Sequence, residues 1–130
     1  MIPTVVRCPA SPAIPSSQGL AITLDPRRDP AGPLVVHGAF HLAMADGDAI
    51  GHPVHRGIVV VVWSIHHCYA IAPFREHVLF ADDEASVPGG VGGYFNVDPF
   101  ATEGGPVQGD FHVYASLGDH LSNVVRASAR

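Results

Sequence analysis

The sequence predicts an all-β protein, an antiparallel β-sandwich of about seven strands with an extended proline-rich arm at its N-terminus. Glycine and proline number 14 and 12 among 130 residues, a content that long helices do not tolerate. Apolar residues recur with period two in short segments, which Gly, Pro and Asp turns separate about every eight to twelve residues. No segment has a sustained helical period, so a helical bundle is excluded.

Residues 1–19 are predicted to form the arm, because regularly spaced prolines leave neither a helical nor a strand period there. These prolines are Pro3, Pro9, Pro12 and Pro15. An extended terminus frays unless a surface holds it, and either this domain or a neighbouring subunit could supply that surface. Residues 20–130 are predicted to form a single β-sandwich domain.

Within this domain the alternation predicts seven strands, over residues 20–24, 34–44, 58–71, 77–81, 94–97, 111–117 and 123–129. In the strand over residues 111–117, Phe111 and Val113 are expected to face the core, and His112 and Tyr114 the solvent. The strand over residues 58–71 is apolar on both faces, which is typical of a central strand. Its odd-numbered face is the richer one, so Trp63 is expected to lie in the core.

This pattern resembles an immunoglobulin- or fibronectin-type sandwich, in which Trp63 would be the core tryptophan. The resemblance is architectural, because Cys8 and Cys68 are not placed like the inter-sheet cysteine pair of antibody domains. A jelly roll or a small barrel fits nearly as well. Two cysteines make no disulfide framework, so a bridge between them is possible but not implied.

Charge and hydropathy argue against several classes of partner. The formal net charge is −5, and all seven basic residues are arginines scattered along the chain. Nucleic acids and anionic membranes are therefore poor partners, since both bind clustered cations. The N-terminus does not read as a signal peptide, and the longest apolar run is too short to cross a bilayer. We therefore expect a cytoplasmic protein without membrane insertion.

Nine histidines are the compositional oddity of the chain. Among them, His66 lies two residues from Cys68, and on a strand the two side chains would point the same way about 6–7 Å apart. In a sandwich the outward face that carries His112 could align with them. The set of His66, Cys68 and His112 would suit zinc or copper, so a metal site is predicted there as an alternative.

Other motifs are less specific. The segment over residues 106–112 resembles the second metal motif of the cupins but has one residue too many, and the first cupin motif is absent from the sequence. No serine lies in a Gly-x-Ser-x-Gly elbow. The run of acids at residues 82–84 and the glycines at residues 89–93 are expected to form a solvated hairpin loop. His52 and His55, which flank a proline, are expected in a solvated turn.

Without a catalytic motif, the sequence favours a non-catalytic binding or assembly module that acts through protein–protein contacts. We expect a homo-oligomer with the arm at the interface, where an extended chain could cover a sheet edge or add to a neighbour. The metal-binding protein with His66, Cys68 and His112 as ligands is the alternative. A third hypothesis is an assembly that responds to pH through its histidines.

Overall fold

The structure, a computed structural model, describes residues 3–25, 34–100 and 109–129. It confirms the predicted all-β, sandwich-like architecture, with two antiparallel sheets of four and five strands. The four-stranded sheet contains, in spatial order, β1 (Gly19–Leu24), β2 (Val36–Ala43), β6 (Gly90–Val97) and β5 (Ala85–Val87). The five-stranded sheet contains β4 (Cys68–Ile71), β3 (Val59–Trp63) and β7 (Gly109–Leu117), and both β8 (His120–Leu121) and β9 (Val125–Ala129) pair with β7. The finer immunoglobulin-like or jelly-roll assignment stays a prediction.

Strands with one apolar face lie where the sequence predicts them. Leu20 and Ile22 of β1 are buried, and Phe111 and Val113 of β7 face the core. The intervening residues of β7 are exposed or half-buried, as expected from strict alternation. The core between the sheets is rich in phenylalanine, with Phe40, Phe74, Phe95, Phe100 and Phe111 almost fully buried.

The single strand predicted over residues 58–71 is wrong, because the chain reverses between β3 and β4. Ser64 forms the turn: its N–H donates to the carbonyl of His67 at 2.7 Å, and its Oγ accepts from the amides of His66 and His67. The even-numbered face is the buried one, so Trp63 is half-buried on the outer face and is not a core residue. A strand that is apolar on both sides does not specify its core face by period alone.

The glycine-rich segment is also different from its prediction. Gly90–Val97 form the buried strand β6, and only Gly89, with φ of 82°, has the turn conformation that favours glycine. A Cβ on Gly90 would lie 1.8 Å from the carbonyl oxygen of Leu42, so the close approach of β2 requires glycine there. The strand predicted over residues 77–81 is absent, and a 3-10 helix (Ala81–Asp83) follows instead.

A short helix, α1 (Met44–Ile50), follows β2 in the gap between the strands predicted over residues 34–44 and 58–71, and a 3-10 helix (Val54–Gly57) leads into β3. Gly47 is the buried residue of α1; a Cβ there would lie 2.9 Å from the side chain of Val91. Absence of a side chain at this position therefore lets α1 pack on β6. No helix among the described residues is long and apolar enough to cross a membrane.

The described part of the arm lies against its own four-stranded sheet. Thr4 forms a backbone bridge with Asn96 on the free edge of β6, with N···O distances of 3.0 and 2.7 Å. Further along, the carbonyl of Ala10 accepts from Thr23 Oγ1, and that of Pro15 lies 2.8 Å from His41 Nδ1. The arm thus forms a third layer, which explains why β2 is buried on both faces.

Two predicted features lie outside the described residues. The connection between the predicted strands over residues 20–24 and 34–44 falls there at residues 26–33. Most of the connection between the predicted strands over residues 94–97 and 111–117 also falls there, at residues 101–108. The first part of the cupin-like segment, residues 106–108, belongs to that loop. The domain boundary predicted at residue 20 stays a prediction.

Asn123 links the two sheets, and its removal gives a first testable prediction. Its side-chain amide accepts from Ile22 N at 2.8 Å and donates to Ile22 O at 3.0 Å, so it pairs with the edge of β1 as a strand would. Asn123→Ala is expected to lower the free energy of unfolding by about 1–3 kcal/mol, because both bonds are lost. Urea denaturation measures this loss. An unchanged midpoint for Asn123→Ala would contradict the role.

Candidate functional site

The outer face of the five-stranded sheet has no cover among the described residues, in contrast to the face that the arm covers. We call it the open face. Cross-strand register and alternation place on it Val59, Val61 and Trp63 of β3, Cys68 and Ala70 of β4, His112, Tyr114 and Ser116 of β7, and Leu121 of β8. Leu121 is 66% exposed, and the side chains are predominantly apolar. Such contiguous apolar surface is typical of interaction sites.

Aromatic rings form the centre of the open face. The indole of Trp63 stacks on the imidazole of His112, with ring centroids 5.0 Å apart and an interplanar angle of 19°. Tyr114 meets the same indole edge-on at 5.4 Å. These contacts follow from register, since Trp63 lies directly opposite His112. Tyr114 lies diagonally across from Trp63, two residues from His112 on the same face of β7. The rings hold one another in place, so they present a preorganised surface.

The charged side chains that the described strands place on the open face are paired with each other. Arg126, which lies opposite His112 in β9, donates from Nη2 to Asp110 Oδ2 at 2.9 Å. Across four strands and the length of β3 the face measures about 19 Å by 17 Å, or roughly 300 Å².

The residues of the predicted metal site are all described, and the geometry gives that prediction no support. His66 lies in the exposed turn between β3 and β4, so it does not share a strand face with Cys68. Cys68 of β4 and His112 of β7 pair with Trp63 from opposite sides of β3. The indole therefore lies between them, so they are not neighbours. No three His, Cys, Asp or Glu side chains among the described residues are grouped as a metal ion requires. Cys8 and Cys68 are both free thiols.

A histidine–carboxylate cluster lies at the end of the molecule that carries α1. His52 Nδ1 lies 2.7 Å from Glu84 Oε2, and His52 Nε2 lies 2.7 Å from Asp48 Oδ1. The second oxygen of Glu84 accepts a close hydrogen bond from the amide of Val54. Hydrogen bonds to Asp48 and Glu84 raise the pKa of His52 above its usual value. Because both ring nitrogens are engaged, His52 has none left to activate a nucleophile.

His55 lies three residues away in a contrasting environment. Its side chain is fully buried between the rings of Phe40 and Phe74, at centroid distances of 5.1 and 5.8 Å. Nε2 lies 2.9 Å from the carbonyl of Tyr94, whereas Nδ1 is buried and has no hydrogen-bond partner among the described residues. Burial lowers the pKa of His55. The interpretation as a residue of a solvated turn is therefore wrong for His55, whereas His52 is exposed in a bend, as predicted.

Two shallow pockets flank α1. One, of about 180 Å³, is lined by Asp46, Ala49, Ile50, Gly118, Asp119 and His120. The other, of about 130 Å³, lies beside the His52–Glu84 pair. His120 Nε2 lies 3.7 Å from Asp46 Oδ2, which is too long for a hydrogen bond. Neither pocket presents an aligned nucleophile and base.

Sequence alternation identifies His112 and Tyr114 as outward-facing, and the structure confirms both. It misses Trp63, because the wrong face of its strand was predicted to be buried. It also misses Leu121, because no strand was predicted at that residue. Comparison with protein-family models, curated proteins and solved structures finds no match to this chain. The geometry of the molecule itself therefore carries the functional argument.

Proposed function

We propose that this protein is a non-catalytic binding and assembly module that acts through protein–protein contacts, and that two copies associate through the open face. The observation that carries the proposal is the contrast between the two sheets. The arm covers the outer face of the four-stranded sheet, while no described residue covers the apolar and aromatic side chains on the outer face of the five-stranded sheet. Burial of such side chains against a partner is the main source of favourable association energy.

Charge does not oppose a second copy as the partner at the open face. The protein has a formal net charge of −5, which opposes association when acidic surfaces meet. On the open face, however, Asp110 is paired with Arg126. The acidic helix α1 packs against β2 and β6 of the other sheet. Two open faces can thus meet around a two-fold axis without opposing like charges.

The size of the face sets the expected strength. Two copies would bury roughly 600 Å² in total, whereas stable complexes bury about 1,200–2,000 Å². We therefore expect a weak, reversible dimer whose population rises with protein concentration, with the aromatic cluster at its centre.

The test uses acidic substitutions at exposed positions, which leave the core unchanged. Leu121→Asp and Ala70→Asp place a carboxylate on the open face, and Val78→Asp places one at an 81% exposed position outside both sheets. Sedimentation equilibrium over a concentration series should show a dimer that the first two variants weaken roughly tenfold or more. Val78→Asp should behave as the unsubstituted protein. A monomer at every concentration, or equal dimerisation of all variants, would refute the proposal.

The arm is a second candidate contact, since a short extended segment can exchange between copies with every contact preserved. Deleting residues 1–18 tests this contact, with the mass measured by light scattering over a concentration series. A dimer that is lost on deletion would show that the arm carries the association. A dimer that persists would show that association does not need the arm.

A further inference from the structure

The segment of residues 52–57, between α1 and β3, is fixed by two histidines that require opposite protonation states. It carries Val54, which is fully buried, and it lies beside the smaller pocket flanking α1. His52 connects this segment to α1 through Asp48 and to the start of β5 through Glu84. His55 anchors it in the core.

On the His52 side, both facing groups are carboxylates. Each ring nitrogen lies 2.7 Å from a carboxylate oxygen, and an imidazole can donate from both nitrogens only when it is protonated. Loss of the proton turns one nitrogen into an acceptor that faces an acceptor. One of the two bonds is then lost, while the side chain of Glu84, 7% exposed, keeps its bond to Val54 N.

On the His55 side, the facing groups are two phenyl rings and one carbonyl. With Nε2 donating to the Tyr94 carbonyl, Nδ1 is a bare nitrogen in an apolar site. Protonation would bury a charge with no partner for the new N–H. Glu84 and Asp83 attract a protonated ring, but burial outweighs their effect.

We propose that His52 and His55 together form a pH-sensitive latch on residues 52–57, which is closed firmly near pH 6.5 and loosens on both sides of that value. This inference does not depend on the proposed function. Opening would free Val54 and uncouple α1 from β5, without requiring the two sheets to separate.

The stability of the latch is expected to fall on an acid limb below pH 6.5 and on an alkaline limb above it. The direction of each limb follows from the linkage between protonation and stability. The pKa of His52 is raised above its ordinary value of 6.5, so its contribution is fully present below pH 6.5 and is lost as the pH rises through the folded-state pKa. The pKa of His55 is lowered from 6.5, so its neutral form is held above pH 6.5, and stability is lost as the pH falls toward the folded-state pKa. The latch is therefore expected to be most stable near pH 6.5, the ordinary pKa of histidine, from which both pKa values depart.

Amide hydrogen exchange tests the latch, since Val54 N bonds to Glu84 and Ile58 N bonds to the carbonyl of His55. Protection factors, corrected for the intrinsic rate, should be bell-shaped between about pH 5 and pH 9, with a fall of about threefold or more on each limb. His52→Gln should flatten the alkaline limb and His55→Leu the acid limb. As a matched control, His66→Gln replaces an exposed histidine and should leave both limbs unchanged.

Protection that does not vary with pH in the unsubstituted protein would refute the latch, and so would a limb that persists after its histidine is replaced. Should His55→Leu fail to fold, an NMR titration of His55 in the unsubstituted protein decides the acid limb. A His55 imidazole that becomes protonated above pH 6.5 would overturn it.

Discussion

Replacing Gly38 with alanine is expected to destabilise the fold by about 3 kcal/mol, the upper end of the usual cost of overpacking. A Cβ on Gly38 would lie 2.0 Å from Cζ and 2.2 Å from Cε1 of Phe95, directly opposite in β6. Phe95 is fully buried and meets Phe74 edge-on at a centroid distance of 6.2 Å. The ring therefore has no free space, and β2 and β6 must separate or Phe95 must leave its rotamer.

Urea denaturation of Gly38→Ala measures this cost, and Gly19→Ala is the matched control. Gly19 is also a strand glycine, but the nearest atom to its added Cβ would be 3.8 Å away, an ordinary contact. Gly19→Ala should thus change stability by less than about 0.5 kcal/mol. Phe95→Leu, combined with Gly38→Ala, should recover part of the loss. Equal midpoints for Gly38→Ala and Gly19→Ala would show that the Phe95 ring is not held against the glycine.

The strands that the sequence predicts well are those with one buried face. In β7 the apolar residues Phe111, Val113 and Ala115 alternate with polar ones, so the period alone fixes which side meets the core. In β6, by contrast, glycines at positions 90, 92 and 93 carry no side chain from which a period could be read. Their place in the sheet is set by the close approach of Leu42 and Phe40, which are distant in sequence.

Helix α1 could not be predicted from the sequence for a different reason. It has seven residues with a buried glycine inside, too short for an apolar period of several turns and unfavourable by helix propensity. Tertiary contacts with β2 and β6 stabilise it instead. Propensity at this length is therefore outweighed by packing, which the local sequence does not encode.

The candidate site was predictable in part for the same physical reasons. The outward direction of His112 and Tyr114 follows from alternation, but the place of Trp63 beside them depends on which face of an all-apolar strand is buried. His52 gains its partners through folding, since Glu84 lies 32 residues away along the chain. Side chains that interact only through tertiary structure leave no local spacing to detect.

Replacing Asn96 with alanine is expected to release the arm from the four-stranded sheet. Asn96 is 4% exposed, and its Nδ2 donates to Thr4 Oγ1 and to the carbonyl of Val6, both at 2.8 Å. Its Oδ1 accepts a close hydrogen bond from His37 Nδ1. The substitution removes all three bonds and leaves the buried Nδ1–H of His37 without its partner. It is expected to lower the free energy that holds the arm on the sheet by about 3 kcal/mol.

Trypsin provides the readout, because Arg7 lies in the arm, with its guanidinium 5.9 Å from the centroid of the Tyr94 ring. Cleavage after Arg7, followed by mass spectrometry, should be about tenfold faster or more in Asn96→Ala, since proteolysis tracks the population of the open arm. Thr4→Ala loses one side-chain bond while its backbone bridge to Asn96 remains, so its cleavage should be only slightly faster. Unchanged cleavage in Asn96→Ala, with the sheets still folded by circular dichroism, would mean that contacts of Ala10 and Pro15 with the sheet hold the arm without Asn96.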